Sequence, residues 1–195
     1  MKNFCAVFSI ATLLMLPAAL LAAVETELYG GRAFAGSYHR EIETRFDYPL
    51  SGYQYGAAAR YTQGPRHYSL GAGLWYLGST FTADTRPGDL DITRHSFGPD
   101  VIIELGVPST GHAFTLRGGV SLRDWYRLEQ EGATTRRDGI MGTGLFAAGF
   151  AWRFDKTFRL SAEYLYVSSY YSRSANTRIE SHGLCLGLKI MAWGG

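Results

Sequence analysis

The feature that most constrains this chain is a beat of period two that starts after an apolar leader and runs almost to the last residue. Tyr53, Tyr55, Ala57, Ala59 and Tyr61 alternate with Gln54, Gly56, Ala58 and Arg60, and Phe158, Leu160, Ala162, Tyr164 and Tyr166 alternate with Arg159, Ser161, Glu163, Leu165 and Val167. A strand sends successive side chains to opposite faces, so each segment has one apolar face and one small or charged face. In a water-soluble sheet the apolar face turns inward. Here the other face carries Arg, Glu and Lys near mid-strand, which a packed soluble core would not tolerate in such number. Turning the sheet inside out reconciles the two faces, with apolar side chains toward lipid and polar ones toward a lumen.

The leader fits export. Residues 1–23 read as a signal peptide: Lys2 is the positive region, Phe4 to Leu16 the apolar run, and Ala18 to Ala23 a small-residue exit. The expected organisation is therefore a signal peptide over 1–23 and one barrel domain over 24–195. No later stretch approaches the roughly 20 apolar residues a spanning helix needs. Cys5 leaves with the leader, so Cys185 stands alone and no intrachain disulfide forms in the mature chain. The net charge of +2 is too small to indicate a nucleic-acid partner.

Counting alternating segments gives eight strands, at about 26–38, 50–62, 67–82, 93–106, 113–127, 139–153, 157–171 and 179–193. Each exceeds the 9–11 residues or so that a tilted transmembrane strand requires. Connections alternate in character. Gln63 to Arg66, Pro108 to Gly111 and Phe154 to Lys156 are short turns, while 39–49, 83–92, 128–138 and 172–178 are longer and charged. That is the pattern of a bacterial outer-membrane barrel with short periplasmic turns and longer surface loops. The fold expected is an all-β, eight-stranded, antiparallel, up-and-down transmembrane barrel. Closure leaves no unpaired edge in the hydrocarbon. Eight strands enclose room for side chains only, so the lumen should be filled.

Two residue sets follow from the register. Arg60, Arg117, Arg153, Arg159 and Lys189 point inward with Asp100, Glu104 and Glu163, joined by Glu27 on a first strand whose register is disturbed by a bulge at Gly30-Gly31. They should form a hydrogen-bonded charge network that plugs the lumen, with Cys185 as a small inward filler. Aromatics gather at strand ends: Tyr68, Phe150, Trp152, Phe158 and Trp193 toward the periplasmic rim, and Tyr53, Tyr55, Tyr76, Tyr126 and Tyr170 toward the outer rim. These are the two expected girdles.

Catalytic signatures are sparse. There is no Gly-rich phosphate loop, no metal-spaced Cys/His set and no Gly-x-Ser-x-Gly elbow, and neither metal nor cofactor is expected. Over its whole mature length the chain resembles the small eight-stranded outer-membrane proteins of the OmpA transmembrane-domain and OmpX/Ail type. The resemblance rests on Gly/aromatic alternation, on Ala162-Glu-Tyr-Leu-Tyr166 and on Gly183-Leu-Cys-Leu-Gly-Leu-Lys-Ile190. Such proteins usually end in an aromatic residue read by the barrel assembly machinery; here Gly194 and Gly195 follow Trp193. The resemblance implies a non-catalytic outer-membrane protein with a structural, surface-contact or adhesion role. Its partners would be membrane lipid and lipopolysaccharide, with a host or surface ligand met through the four long loops.

A more local likeness keeps an enzyme in view. Ser168 and Ile179-Glu180-Ser181 resemble, in position and spacing, elements of the PagL lipid A 3-O-deacylases, with Tyr166 standing where that family has its histidine. The likeness implies a lipid A-modifying hydrolase using Ser168, Glu180 and, as a substitute imidazole, His182. A narrow solute channel lined by the inward charges is the remaining alternative.

Overall fold

The computed structural model describes residues 22–41, 45–64, 67–85, 88–107, 110–139, 142–171 and 176–193. The expected leader lies outside them except for Ala22 and Ala23. Ten strands form: β1 Ala22–Glu41, β2 Arg45–Gln63, β3 Tyr68–Thr85, β4 Gly88–Gly106, β5 Ala113–Val120, β6 Arg123–Gln130, β7 Ala133–Gly139, β8 Thr143–Arg153, β9 Phe158–Tyr171 and β10 Asn176–Trp193. They make a ring of eight antiparallel staves, because β5–β6 and β7–β8 are each one stave interrupted by a short break. β4 pairs with β5 through Asp100–Gly106 and with β6 through Leu90–Phe97. Pairing of β1 with β10 closes the ring, Ala23 opposite Trp193 and Glu41 opposite Asn176.

The break between β5 and β6 shifts the period. Ser121 is buried, Leu122 is exposed, and Asp124 is buried two positions after it. The irregular residues keep their backbone bonds: Ser121 N–H donates to Thr143 O at 2.8 Å and Leu122 N–H to Phe97 O at 2.8 Å. Side chains stitch the two broken staves together. Asp124 accepts from the Ser121 hydroxyl and, at 3.0 Å, from Gly142 N–H, and Ser121 Oγ accepts Thr143 N–H at 2.9 Å. Beyond the shift, Trp125 faces out and Tyr126 faces in. The β1 irregularity is displaced too. Gly30 and Gly31 stay in register with Leu186 and Cys185, and the shift falls between Ala33 and Ala35.

The staves are longer than expected at the end opposite the termini. Only residues 86–87 separate β3 from β4, and a turn at Glu131-Gly132, both with positive φ (49° and 81°), joins β6 to β7. Most of 39–49, 83–92 and 128–138 is therefore strand and not loop. The physical reason is that alternation continues past the apolar band: Leu90 and Ile92 are buried while Asp89 and Asp91, which alternate with them, face outward. A 19-residue strand such as β4 is roughly 60 Å long, and at a tilt of about 40° it still rises about 45 Å, well beyond the apolar band of about 25 Å. At the termini end, turns are tight. Asp155 Oδ1 accepts the amides of Phe158 and Thr157 at 2.7 and 2.6 Å, which hold its carboxyl below the usual range.

The outer wall is apolar around the termini-side half. Leu28, Leu70, Leu74, Val101, Ile103, Leu105, Phe114, Leu116, Leu160, Leu184, Leu188 and Leu186, the last 70% exposed, all face outward. Leaving each in water forgoes roughly 1.5–3 kcal/mol, which a band of this size can recover only against lipid.

Candidate functional site

The lumen is filled in layers. At the termini end lies an ionic network. Arg60 donates to Asp100 (2.8 Å), Glu25 (3.0 Å) and Glu27 (2.8 Å). Arg117 reaches the same Glu27 at 3.2 Å and Glu163 at 3.4 Å, and its guanidinium lies 4.6 Å over the Tyr29 ring. Arg159 donates to Glu104 at 2.9 Å. Lys189 Nζ stands 3.4 Å from Glu163 and 3.8 Å from each of Glu25, Glu27 and Glu104. Hydroxyls complete the set: Ser69 donates to Glu104, Thr115 to Glu163 and Ser161 to Glu27, at 3.1–3.2 Å. Five acids thus face four bases. Such a set is held by mutual compensation, because removing one partner strands a charge away from water.

Of the residues expected in this network, Arg153 stands apart. Its Nε donates to Asp155 O at 2.7 Å and its backbone N–H to His112 Nδ1 at 3.0 Å. β8 ends there, and the turn that follows curls under the side chain. Glu25 is the member the sequence reading missed. It is one step before the assumed start of the first strand, yet its alternation with Glu27 and Ala23 was available as a signal.

Above the ions come Tyr29, Ala58, Trp75, Leu77, Leu145, Ala147, Leu165, Val167 and Cys185, an apolar layer. A hydroxyl band follows, in which Arg94 donates to Ser169 (2.9 Å) and Ser79 (3.1 Å). A second apolar cluster, Ala33, Tyr38, Leu50, Phe81, Ala83, Leu90, Ile92, Tyr126 and Ile179, fills the far end. Tyr126, expected in the outer girdle, is part of this seal because of the shift at Ser121–Arg123. The other girdle positions divide as follows. Tyr53, Tyr55, Tyr170, Tyr68, Trp152 and Phe158 are exposed on the outer wall. Tyr76 is bonded through its hydroxyl to His95 Nδ1 (2.7 Å), and His95 stacks on Trp125 at 5.1 Å. Phe150 packs edge-on against Phe114 and Trp152. The side chain of Trp193 lies outside the described residues.

A polar cluster interrupts the outer wall toward the far end, on β1, β10 and β9. Cross-strand register sets it out in three rows: Ala35, His182, Tyr166; then Ser37, Glu180, Ser168; then His39, Arg178, Tyr170. Glu180 is its centre. Its Oε1 accepts from the Tyr166 hydroxyl at 2.7 Å and from Arg178 at 2.5 Å, and its Oε2 lies 3.7 Å from His39 Nε2. Ser37 Oγ and His39 Nε2 are hydrogen-bonded at 2.8 Å. His182 turns the other way, with Nδ1 bonded to the Tyr164 hydroxyl and its ring 4.8 Å from that of Tyr166. The structure thus brings Ser168 and Glu180 together as cross-strand partners, while the imidazole at Glu180 is that of His39 and not of His182. Among the described residues no group of three or more His, Cys, Asp or Glu is placed to hold a metal ion.

No protein-family model and no curated protein matches this chain. Solved structures do. The neisserial surface protein NspA is 14% identical over 87% of this chain and 96% of its own, with a TM-score of 0.56. The outer-membrane protease OmpT of Escherichia coli is 9% identical over 88% and 97%, with a TM-score of 0.50. Ail, the attachment invasion locus protein of Yersinia pestis, is 12% identical over 85% and 97%, with a TM-score of 0.44. At these identities the likeness to the first two shows the fold alone, that of outer-membrane β-barrels.

Proposed function

We propose that this chain is a closed outer-membrane barrel whose role is structural and surface-interactive. A bacterial outer membrane supplies the asymmetric bilayer that the apolar band and the charged outer hairpins need. The termini end then faces the periplasm, reached after removal of the leader over 1–23 and insertion by the barrel assembly machinery. The far end projects beyond the lipid as paired strands whose outward faces carry Asp84, Asp89, Asp91, Arg127 and Glu129. These meet lipopolysaccharide or a surface ligand. The observation that carries this reading is the lumen, packed from end to end by ions and then by apolar side chains. A barrel whose described inward side chains fill the lumen acts through its outer surfaces. In planar bilayers the refolded protein stays silent. Stable conductance steps that change on Arg117→Ala would instead establish the channel alternative. Cells lacking the protein become more sensitive to detergent without losing small-solute uptake; unchanged detergent tolerance and surface attachment would overturn the reading.

A second reading is a lipid A-modifying hydrolase built on Ser168 and Glu180, favoured by their direct opposition across the β9–β10 ladder. It requires an acyl-chain loss from lipid A, seen by mass spectrometry when the protein is expressed and abolished by Ser168→Ala.

A further inference from the structure

We propose that Arg32 and Arg123 are anchors for the phosphate groups of outer-leaflet lipids, one on each side of the barrel. The inference rests on the outer-membrane reading and adds to it a ligand chemistry and two places on the wall.

Three observations converge. First, the protein leaves both guanidinium groups unanswered. Each side chain is exposed and faces outward. Among the described residues neither has a hydrogen bond or an ion pair. Every other arginine whose side chain is described is bonded within the chain: Arg60, Arg117, Arg127, Arg159 and Arg178 to carboxylates, Arg94 to hydroxyls and Arg153 to a backbone carbonyl. The cross-strand neighbours offer no anion. Arg32 stands between Leu184 and Tyr53, and Arg123 stands opposite Phe97.

Second, the two lie at one level on opposite sides. Cross-strand partners followed from Val24 through Tyr61, Ala72, Val101, Gly118, Phe146, Tyr166 and His182 return to β1 at Ala35, eleven residues farther along. A row of partners therefore climbs toward the far end by about five residues in half a turn of the ring. From Arg32 the row runs through Tyr53, Thr80 and Thr93 to Arg127, halfway round. Descending about five residues from Arg127 ends about one residue from Arg123. An unbroken period would turn Arg123 into the lumen; the extra residue between β5 and β6 turns it out.

Third, that level is where the wall changes character. On β10 the outward residues run Leu188, Leu186, Leu184 and then His182; on β4 they run Val101, Pro99, Phe97 and then His95. Arg32 pairs with the leucine that ends the one series and Arg123 with the phenylalanine that ends the other. A guanidinium among lipid tails is costly, whereas at their edge it reaches the headgroups. The anion a lipid presents there is phosphate, which Arg matches with paired N–H donors. Tyr53, 66% exposed and with no bond to its hydroxyl among the described residues, adds a donor beside Arg32. Two such contacts on opposite sides hold the barrel at one depth and resist tilt.

The test uses the full mature chain refolded in a maltoside, a detergent without phosphate, with its folded state read from the heat-dependent shift of the band on a gel. The probes are purified lipid A bearing two phosphates, the same lipid stripped of both, and inorganic phosphate. Native mass spectrometry counts the molecules that stay bound. Folded wild-type protein retains two phosphorylated lipids and none of the stripped form. Arg32→Gln and Arg123→Gln each empty one site, with an affinity there lower by about tenfold or more, the loss of one charge-assisted contact. The double variant retains neither lipid. Arg178→Gln removes the same charge from an arginine already paired with Glu180 and leaves the count unchanged. A double variant that holds as many lipids as the wild type overturns the inference, as does equal retention of the stripped lipid. Displacement of lipid A by inorganic phosphate at equal concentration assigns the sites to a free anion and overturns it too. In each of these cases the band still shifts and the barrel reading stands. A chain that shows no heat-dependent shift refutes the barrel reading itself.

Discussion

At the scale of single residues, the inward charges are the features whose role can be measured most directly. Glu27 accepts from Arg60, Arg117 and Ser161 and faces Lys189. Glu27→Ala removes one carboxylate and leaves three cations short of a partner in a lumen closed to bulk water. The expected loss is about 3–5 kcal/mol, the range for breaking a buried pair from one side. A lower urea midpoint for the variant refolded in lipid vesicles, with an unchanged slope, would show it. Glu27→Gln should lose less, because the amide oxygen still accepts from Arg60. Most of this network was legible in the sequence, since a charged residue on the inward phase of a membrane strand has few other places to go. Arg153 was not, because at a strand end the phase no longer decides direction and the nearest carbonyl does. The Ser37–His39 contact was not legible either. Ser37 falls at the end of the expected first strand and His39 at the start of the expected loop, and only the extended β1 sets them on one face.

At the scale of elements, the irregularity between β5 and β6 decides which aromatic faces lipid. Period-two counting from Arg117 through Arg123 puts Tyr126 outward, and one extra residue reverses that. In a Cys185→Ala background, Trp125→Cys should therefore react with a lipid-soluble maleimide, while Tyr126→Cys should be protected. The reverse pattern would restore the uninterrupted strand. Asp124 is what makes the irregularity affordable, through Ser121 and the amide of Gly142. Asp124→Ala strands that half-buried amide and the buried Ser121 hydroxyl, at about 1–3 kcal/mol for a fully buried group left unsatisfied and less for the amide. Its thermal unfolding in detergent should begin at a lower temperature than that of Ser96→Ala, which removes one hydroxyl bond of 3.3 Å to Thr143. The long outer hairpins escaped the sequence reading for a related reason. Their polarity reads as loop chemistry, whereas strands standing in water keep their hydrogen-bond ladder and change only what the outward face carries. The inward Leu90 and Ile92 were the available sign that pairing continued.

At the scale of the whole molecule, the lumen holds barriers in series: ions near the termini end, the apolar layer around Trp75 and Leu165 above them, and a second apolar seal at the other end. Arg94 joins that seal to the hydroxyl band, its guanidinium 5.4 Å from the Phe81 ring and its hydrogen bonds in the band below. Barriers in series make a specific prediction. Phe81→Ala empties a large volume from the seal and should cost about 3–5 kcal/mol of stability, as truncating a fully buried Phe does. It should nonetheless leave planar bilayers silent, because Arg60, Arg117, Lys189 and their carboxylates still close the section beneath. Conductance steps from Phe81→Ala alone would mean that ions pass the charged layer and the layer around Trp75 freely, and that the far seal closes the lumen by itself. Combining Phe81→Ala with Glu27→Ala weakens the two end barriers at once and leaves only the layer around Trp75 and Leu165 intact. If the barrel still folds, this pair is where conductance should first appear, and its onset would date the loss of closure to the second barrier and not the first.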